Sequence, residues 1–194
     1  RYKAFVAKVQ QAEAALGKTS LAETVARYLF KLMAYKDEYE VARLYTDGEF
    51  LKKLNAQFEG DFKLTCHLAP PTVAPAIPET GEATKKEFGP WTFRLFKVLA
   101  RLKGLRGTKL DIFGYTEERR TERRLVEDYF ALVHELSAGM TPDNHALAVQ
   151  LAALPEDIRG FGHIKNRNLK TAQEKWQKLL TAFRNPASMA TAAE

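Results

Sequence analysis

The sequence predicts a mainly α-helical fold with one small β-hairpin or β-arm, α+β at most. Several stretches carry apolar residues at spacings of three and four, which is the period of a helix with one buried face. A single segment, 62–68, alternates apolar and polar residues as a half-buried strand does. The length of 194 residues, with 45% apolar and 28% charged, is ordinary for one globular domain. We expect one domain over 1–184 and a disordered tail over 185–194.

The helical elements follow from these periods and from capping signals. A first helix over 1–16 is followed by a second at Ser20, because Ser20 and Glu23 have the spacing of a capping box. Thr116 is placed to cap a long helix over 117–138. The last helix shows an inward stripe: Leu169, Ala172, Trp176, Leu179 and Phe183.

Residues 91–102 form the most apolar predicted helix, which Gly89-Pro90 precedes. Because it is apolar nearly all round, we expect it to be central and buried on several sides. Its three cations, Arg94, Lys97 and Arg101, lie on one narrow face. They either contact a ligand phosphate or partner carboxylates, or pair with acids of residues 125–158. The cost of leaving a charge unpaired on a buried helix favours internal pairing.

A proline-rich arm spans residues 69–90, since five of the eight prolines lie between positions 70 and 90. We expect residues 83–88 to return as the partner of the strand at 62–68. Long segments of this kind are commonly functional, and we expect the arm to dock on a neighbouring module.

The net charge of +6 is unevenly distributed along the chain. Residues 94–124 contain 10 basic residues (Lys or Arg) and 4 acidic ones (Asp or Glu). Residues 159–184 contain 7 basic residues and 1 acidic residue. Residues 125–158 carry 6 acids and neither Lys nor Arg. We expect the acidic block to pack between the two basic blocks. The alternative is a free-standing basic helical module that binds nucleic acid or an acidic protein partner.

No catalytic or metal-binding motif stands out. The four histidines are far apart, and Cys66 is the single cysteine. Asp37, Glu38 and Glu40 are interpreted as ion-paired or solvated carboxylates rather than a metal site.

The glycine-rich junctions are the remaining candidates for anion or partner contact. Besides Arg94, Lys97 and Arg101, the residues in question are Arg106, Phe161, Gly162, His163 and Lys165. A helix that begins near 162 exposes backbone amides that can hold an anion. The alternative is a tight turn between two helices, capped by His163.

Seven short segments, taken together, resemble one enzyme family. They are YKDEYEVARLY (35–45), HLAPP (67–71), EFGPW (87–91), RLKGLRG (101–107), LDIFGY (110–115), LP (154–155) and RGFGHIK (159–165). In this order they resemble the C-terminal domain of unknown function of the long, fused indolepyruvate ferredoxin oxidoreductases, within the 2-oxoacid:ferredoxin oxidoreductase family. The likeness runs from about residue 23 to about residue 183.

The resemblance implies a parent enzyme that oxidatively decarboxylates an aryl or related 2-oxoacid. Such parents use thiamine diphosphate, magnesium, iron–sulfur clusters and ferredoxin, with coenzyme A as a substrate. The thiamine-diphosphate motif and the cysteine-rich cluster motifs have no match here, so no catalytic residue is carried over and no cofactor is assigned to this chain. We expect a cytoplasmic fragment of a longer protein, beginning inside a helical pattern at Arg1, whose partners are other modules or subunits of that parent. No run of about 20 apolar residues predicts a membrane span, and we expect no nucleic-acid partner.

Overall fold

A computed structural model describes residues 1–68, 84–160 and 162–185, without the side chains of Gly162 and His163. The helices are α1 (Tyr2–Ala14), α2 (Ser20–Met33), α3 (Glu38–Thr46), α4 (Glu49–Gln57), α5 (Thr92–Arg101), α6 (Glu117–Gly139), α7 (His145–Ala153) and α8 (Gly162–Arg184). Short 3-10 turns span Leu102–Leu105 and Leu154–Asp157. Strands β1 (Cys66–Leu68) and β2 (Lys86–Phe88) form one antiparallel pair. The described residues thus confirm the mainly α prediction.

The chain divides into two compact units. Unit 1 contains Arg1–Tyr35 and the chain from Thr121 onward, and unit 2 contains Lys36–Arg120. Two such units can belong to one domain or to two, so the single domain over 1–184 stays a prediction. Most of the proline-rich arm and of the predicted tail lies outside the described residues.

The core of unit 1 is built from one face of each of its helices. Fully buried leucines and valines of α2, α6 and α7 meet there, among them Leu21, Leu29, Val133, Leu136 and Leu151. Tyr129 lies among them, and its hydroxyl donates a hydrogen bond to the Ala152 carbonyl at 2.8 Å. The hydroxyl is therefore satisfied inside an apolar core.

The N-terminus of α2 is capped differently from the predicted box. The side chain at the cap is Thr19, whose hydroxyl bonds to Glu23 at 3.0 Å, while Ser20 is the first helical residue. The amides of Leu21 and Ala22 each donate to the Glu13 carboxylate at 2.7 Å. A carboxylate from α1 thus replaces the local cap, which spacing within α2 cannot reveal.

Unit 2 packs α5 against α3 beside the hairpin. Cys66 of β1 is opposite Phe88 of β2, so the predicted return strand is confirmed, although the pairing is shorter than the alternating segment. Ala42, Cys66 and Phe96 are buried together, and Tyr45 stacks on Phe96 with ring centroids 5.6 Å apart. This small core fixes which face of α5 is inward.

The expectation that α5 is buried on several sides is wrong. Thr92 and Phe96 are buried, whereas the apolar side chains on another face are 41–57% exposed. Within unit 2, α5 packs mainly against α3, and the apolar residues of that other face are exposed. Among the described residues no helix is both long and apolar enough to cross a bilayer.

Candidate functional site

The site is built around the N-terminus of α3, where Asp37 has two roles. Its carboxylate accepts the Glu40 amide at 2.8 Å and so caps the helix. It also forms an ion pair with Arg106, with Oδ2 and Nε 2.5 Å apart. Asp37 is 3% exposed, and a buried carboxylate of this kind needs such partners. Arg106, a predicted contact residue, is thus engaged within unit 2.

Glu40 and Glu38 extend this network. Glu40 binds Arg43 at 2.8 Å and Lys103 at 2.8 Å. The hydrogen bonds from Arg43 and Lys103 lower the pKa of Glu40 to about 2. Glu38 faces Arg119 at 3.4 Å. The interpretation of these carboxylates as ion-paired groups is confirmed.

The loop after α5 joins the same network through Asp111. Its buried carboxylate accepts the amides of Gly107 at 2.8 Å and Gly114 at 3.0 Å. Tyr39 packs edge-to-face on Phe113 with centroids 5.3 Å apart. Segments 35–45, 101–107 and 110–115 therefore meet in space, and their polar groups hold one another in place.

The outward face of α5 carries two parallel rows of side chains. The apolar row is Trp91, Leu95, Val98 and Leu102, which are 57%, 45%, 52% and 41% exposed. The cationic row is Arg94, Lys97 and Arg101, all exposed. Both rows follow helical spacings of three and four, so each forms a stripe along the helix.

The cationic row is not paired as predicted. None of its three residues forms an ion pair with any residue that the structure describes. The acids of 125–158 bind other cations instead: Glu127 binds Arg1, Glu135 binds Arg184, Glu156 binds Arg159, and Asp157 binds Lys175. Four acids of this block thus pair with Arg1 and with cations of residues 159–184 rather than with the cationic row.

Lys97 and Arg101 border a cleft of about 450 Å³ on unit 2. The other side chains lining it are Arg43, Thr46, Asp47 and Ala100. Arg43 is already bound to Asp47 at 3.1 Å, so the cleft contains one satisfied acid among three cations. Its net positive charge suits a carboxylate or phosphate.

The candidates near residue 160 belong to unit 1. Lys165 binds Glu122 at 2.6 Å, and both side chains are largely buried. Gly160 has φ +93, and a Cβ there would lie 2.8 Å from Ile164 Cγ2, so glycine is required at this turn. Helix α8 begins at Gly162. Phe161 and the side chains of Gly162 and His163 lie outside the described residues, so their role in anion contact stays a prediction.

Unit 1 also contains an apolar groove of about 540 Å³. Apolar side chains of four elements form most of its walls, including Leu32, Leu125, Leu154, Leu169 and Trp176. Asp128 and Gln173 lie on its walls as well. Glu135 also lines the groove, and its carboxylate is bound to Arg184; the apolar walls can hold an apolar group.

Metal and thiol chemistry find little support here. Within the described ranges no group of three or more His, Cys, Asp or Glu residues is arranged to hold a metal ion. Cys66 is buried, and burial raises the pKa of its thiol, which disfavours the reactive thiolate.

Sequence reasoning missed three features of these sites: the apolar row, Arg43 in the cleft and the Glu13 cap. The spacing of Trp91, Leu95, Val98 and Leu102 was a visible signal for the first. It instead contributes to the prediction that residues 91–102 are buried on several sides, because an exposed apolar stripe and a buried one have the same spacing.

Comparison with protein-family models places the chain in a family. The model of a family of unknown function, DUF6537, matches residues 1–178. Searches of the curated proteins and of the solved structures return no match. Because the matched region covers most of the chain, the protein belongs to the DUF6537 family.

Proposed function

We propose that this chain is an accessory C-terminal domain of a thiamine-diphosphate-dependent 2-oxoacid ferredoxin oxidoreductase of the indolepyruvate type. Its role is to form a subunit interface or to shape the active-site entrance, and it performs no catalysis itself. Thiamine diphosphate, magnesium and the iron–sulfur clusters bind to other modules of the parent, which also use coenzyme A and ferredoxin. The parent acts in the cytoplasm.

One observation carries this proposal. Three of the segments that resemble the oxidoreductase domain meet in a network whose acids face cations, an arrangement that stabilises a fold rather than moving protons. Other residues of these segments are exposed: Arg101 and Leu102 at the C-terminal end of α5, and Leu110, Ile112 and Tyr115 in the loop after it. Residues with a structural role inside and an uncovered surface outside are typical of a domain that works by contact.

The test begins with the reading frame that encodes the chain. A G-D-G thiamine-diphosphate motif with its downstream Asn is expected upstream of Arg1. The isolated chain, given indolepyruvate, thiamine diphosphate, magnesium, coenzyme A and methyl viologen, is expected to reduce no viologen above a blank. Removing residues 1–194 from the parent should lower its assembly or its rate. A reading frame without the motif, or turnover by the isolated chain, would contradict the proposal.

A second function, a free-standing basic binding module, is favoured by the cationic row alone. Its partner is nucleic acid or an acidic protein. Nucleic-acid affinity that falls steeply with salt would support it, because each phosphate contact releases counterions. Affinity that is weak at low salt would exclude the nucleic-acid form.

A further inference from the structure

We propose that the outward face of α5 is a docking surface for a protein partner that presents carboxylates beside an apolar ridge. This inference rests on the proposed function for the identity of the partner. It goes further by naming the surface and the chemistry of what covers it.

The geometry of α5 sets the two rows side by side. At 3.6 residues per turn, the apolar row and the cationic row each cover about 60° of the helix surface, with centres about 100° apart. Thr92 and Phe96 lie on the inward side and are buried. The whole outward half of the helix is therefore divided between apolar and positive side chains.

The apolar row exposes more adjacent apolar side chains than are usually found together on a protein surface. Single exposed apolar side chains are normal, but four neighbours in one row that are each 41–57% exposed form a contiguous patch. Water ordered over such a patch is released when another apolar surface covers it. The row therefore predicts a partner with an apolar ridge about three helical turns long.

The cationic row and the adjoining cleft define the charge of that partner. Lys97 and Arg101 border the cleft that Arg43 and Asp47 also line, and no described acid pairs with the row. Carboxylates at spacings of three and four on a partner helix would match these cations. Arg101 and Arg94 present planar guanidinium groups, which bind carboxylates in two-point contacts.

A protein fits this surface better than a membrane or a nucleic acid does. The apolar row is too narrow for a helix that lies in a lipid surface, where the apolar face takes up much of the helix. Asp47 in the cleft would also face anionic headgroups. A phosphate backbone would contact the cations but leave Trp91, Leu95 and Val98 uncovered.

In-cell photo-cross-linking identifies the occupant. The photo-reactive residue benzoylphenylalanine replaces Val98 in the full protein, which is expressed in its native host. The cross-linked peptide is then sequenced by mass spectrometry. The control carries the cross-linker at Phe30, a 62% exposed aromatic residue of unit 1. We expect one protein segment, with acids beside apolar residues, that is captured from position 98 and not from position 30. No specific adduct, or an adduct with lipid or nucleic acid, would overturn the proposal.

Charge reversal then tests the chemistry with the purified segment. Lys97→Glu and Val98→Glu should each weaken its binding at least tenfold, while Lys178→Glu, at an exposed site of α8, should change it less than twofold. Replacing the matching partner Glu by Lys should restore binding to Lys97→Glu. All three variants change exposed positions, and circular dichroism should show wild-type folding. Equal binding by the three variants would refute the docking surface.

The two proposals fail separately. If the captured segment is not part of an oxidoreductase but the charge swap works, the docking surface stands and the proposed function falls. If removal of the chain impairs a 2-oxoacid oxidoreductase while Lys97→Glu and Val98→Glu leave the enzyme intact, the proposed function stands and the docking surface falls.

Discussion

At the scale of single residues, the Glu13 carboxylate shows how one buried charge organises unit 1. Glu13 is fully buried and accepts two amides of α2. Its Oε1 atom also lies 2.6 Å from Nε2 of His145, which is the first residue of α7. Burial raises the pKa of Glu13, but the bonds from His145 and the two amides outweigh burial and leave it below its usual value. Three helices are thus tied together through one side chain.

We expect Glu13→Gln to lower the free energy of unfolding by about 2–3 kcal/mol, because an amide NH2 group would face backbone donors in a buried site. Urea denaturation at pH 7 measures this. The control Glu174→Gln, at an exposed position of α8, should change stability by less than about 0.5 kcal/mol. Equal effects of the two substitutions would show that the Glu13 contacts do not stabilise the fold.

Glu40 gives a prediction for pH. Its pKa is about 2 in the folded chain, below the ordinary 4.5, so the stability it contributes is present above about pH 4.5 and is lost as pH falls towards 2. Glu40→Gln should therefore cost about 1 kcal/mol at pH 7, and the difference from wild type should disappear near pH 2. Denaturation at several pH values gives this difference. A gap that is constant with pH would contradict the ion pairs with Arg43 and Lys103.

At the scale of elements, α5 contributes one face to the core of unit 2 and another to its surface. Phe96 points inward against Tyr45, whereas Val98, two residues later, is 52% exposed. The two apolar faces of this helix therefore differ in burial. One face packs in the small core with α3 and the hairpin, and the other is exposed and can contact a partner.

Alanine substitutions distinguish the two faces. Phe96→Ala should lower the free energy of unfolding by about 3 kcal/mol, since it leaves a cavity in the core. Val98→Ala should change it by less than about 0.5 kcal/mol. Chemical denaturation of both variants is the measurement. Comparable losses would mean that α5 is buried on several sides, as its composition alone predicts.

The sequence predicts where most helices and the return strand lie, but it does not predict which elements pack against one another. Local periodicity was enough to predict the helices and the return strand at Lys86–Phe88. The ion-paired state of Asp37, Glu38 and Glu40 was also predicted, because acids at a helix start with cations elsewhere in the chain are rarely left alone. The outward face of α5 was not predicted, since an apolar stripe looks the same whether a neighbour covers it or not. The Glu13 cap depends on two different helices and has no local signal.

At the scale of the whole molecule, the two units raise the question of cooperativity. The predicted single domain should unfold in one calorimetric transition, which both Glu13→Gln in unit 1 and Phe96→Ala in unit 2 move to lower temperature. Differential scanning calorimetry of the three proteins tests this. Two transitions, each shifted by only one of the variants, would show that the units are separate domains.

The charged residues of the described part of the chain serve two purposes. Several of its acids form ion pairs that fix α3, α6 and α8, and Arg94, Lys97 and Arg101 lie beside an apolar row on one helix. Such a distribution suits a protein that contributes a surface.

The most direct test of this central claim is the rate of 2-oxoacid-dependent viologen reduction by the proposed parent enzyme carrying Val98→Glu. We expect at least a tenfold loss of rate or of assembled enzyme, while the isolated variant chain keeps its melting temperature and Glu174→Gln leaves the rate unchanged. A Val98→Glu enzyme that assembles and turns over as the wild type does would contradict this claim.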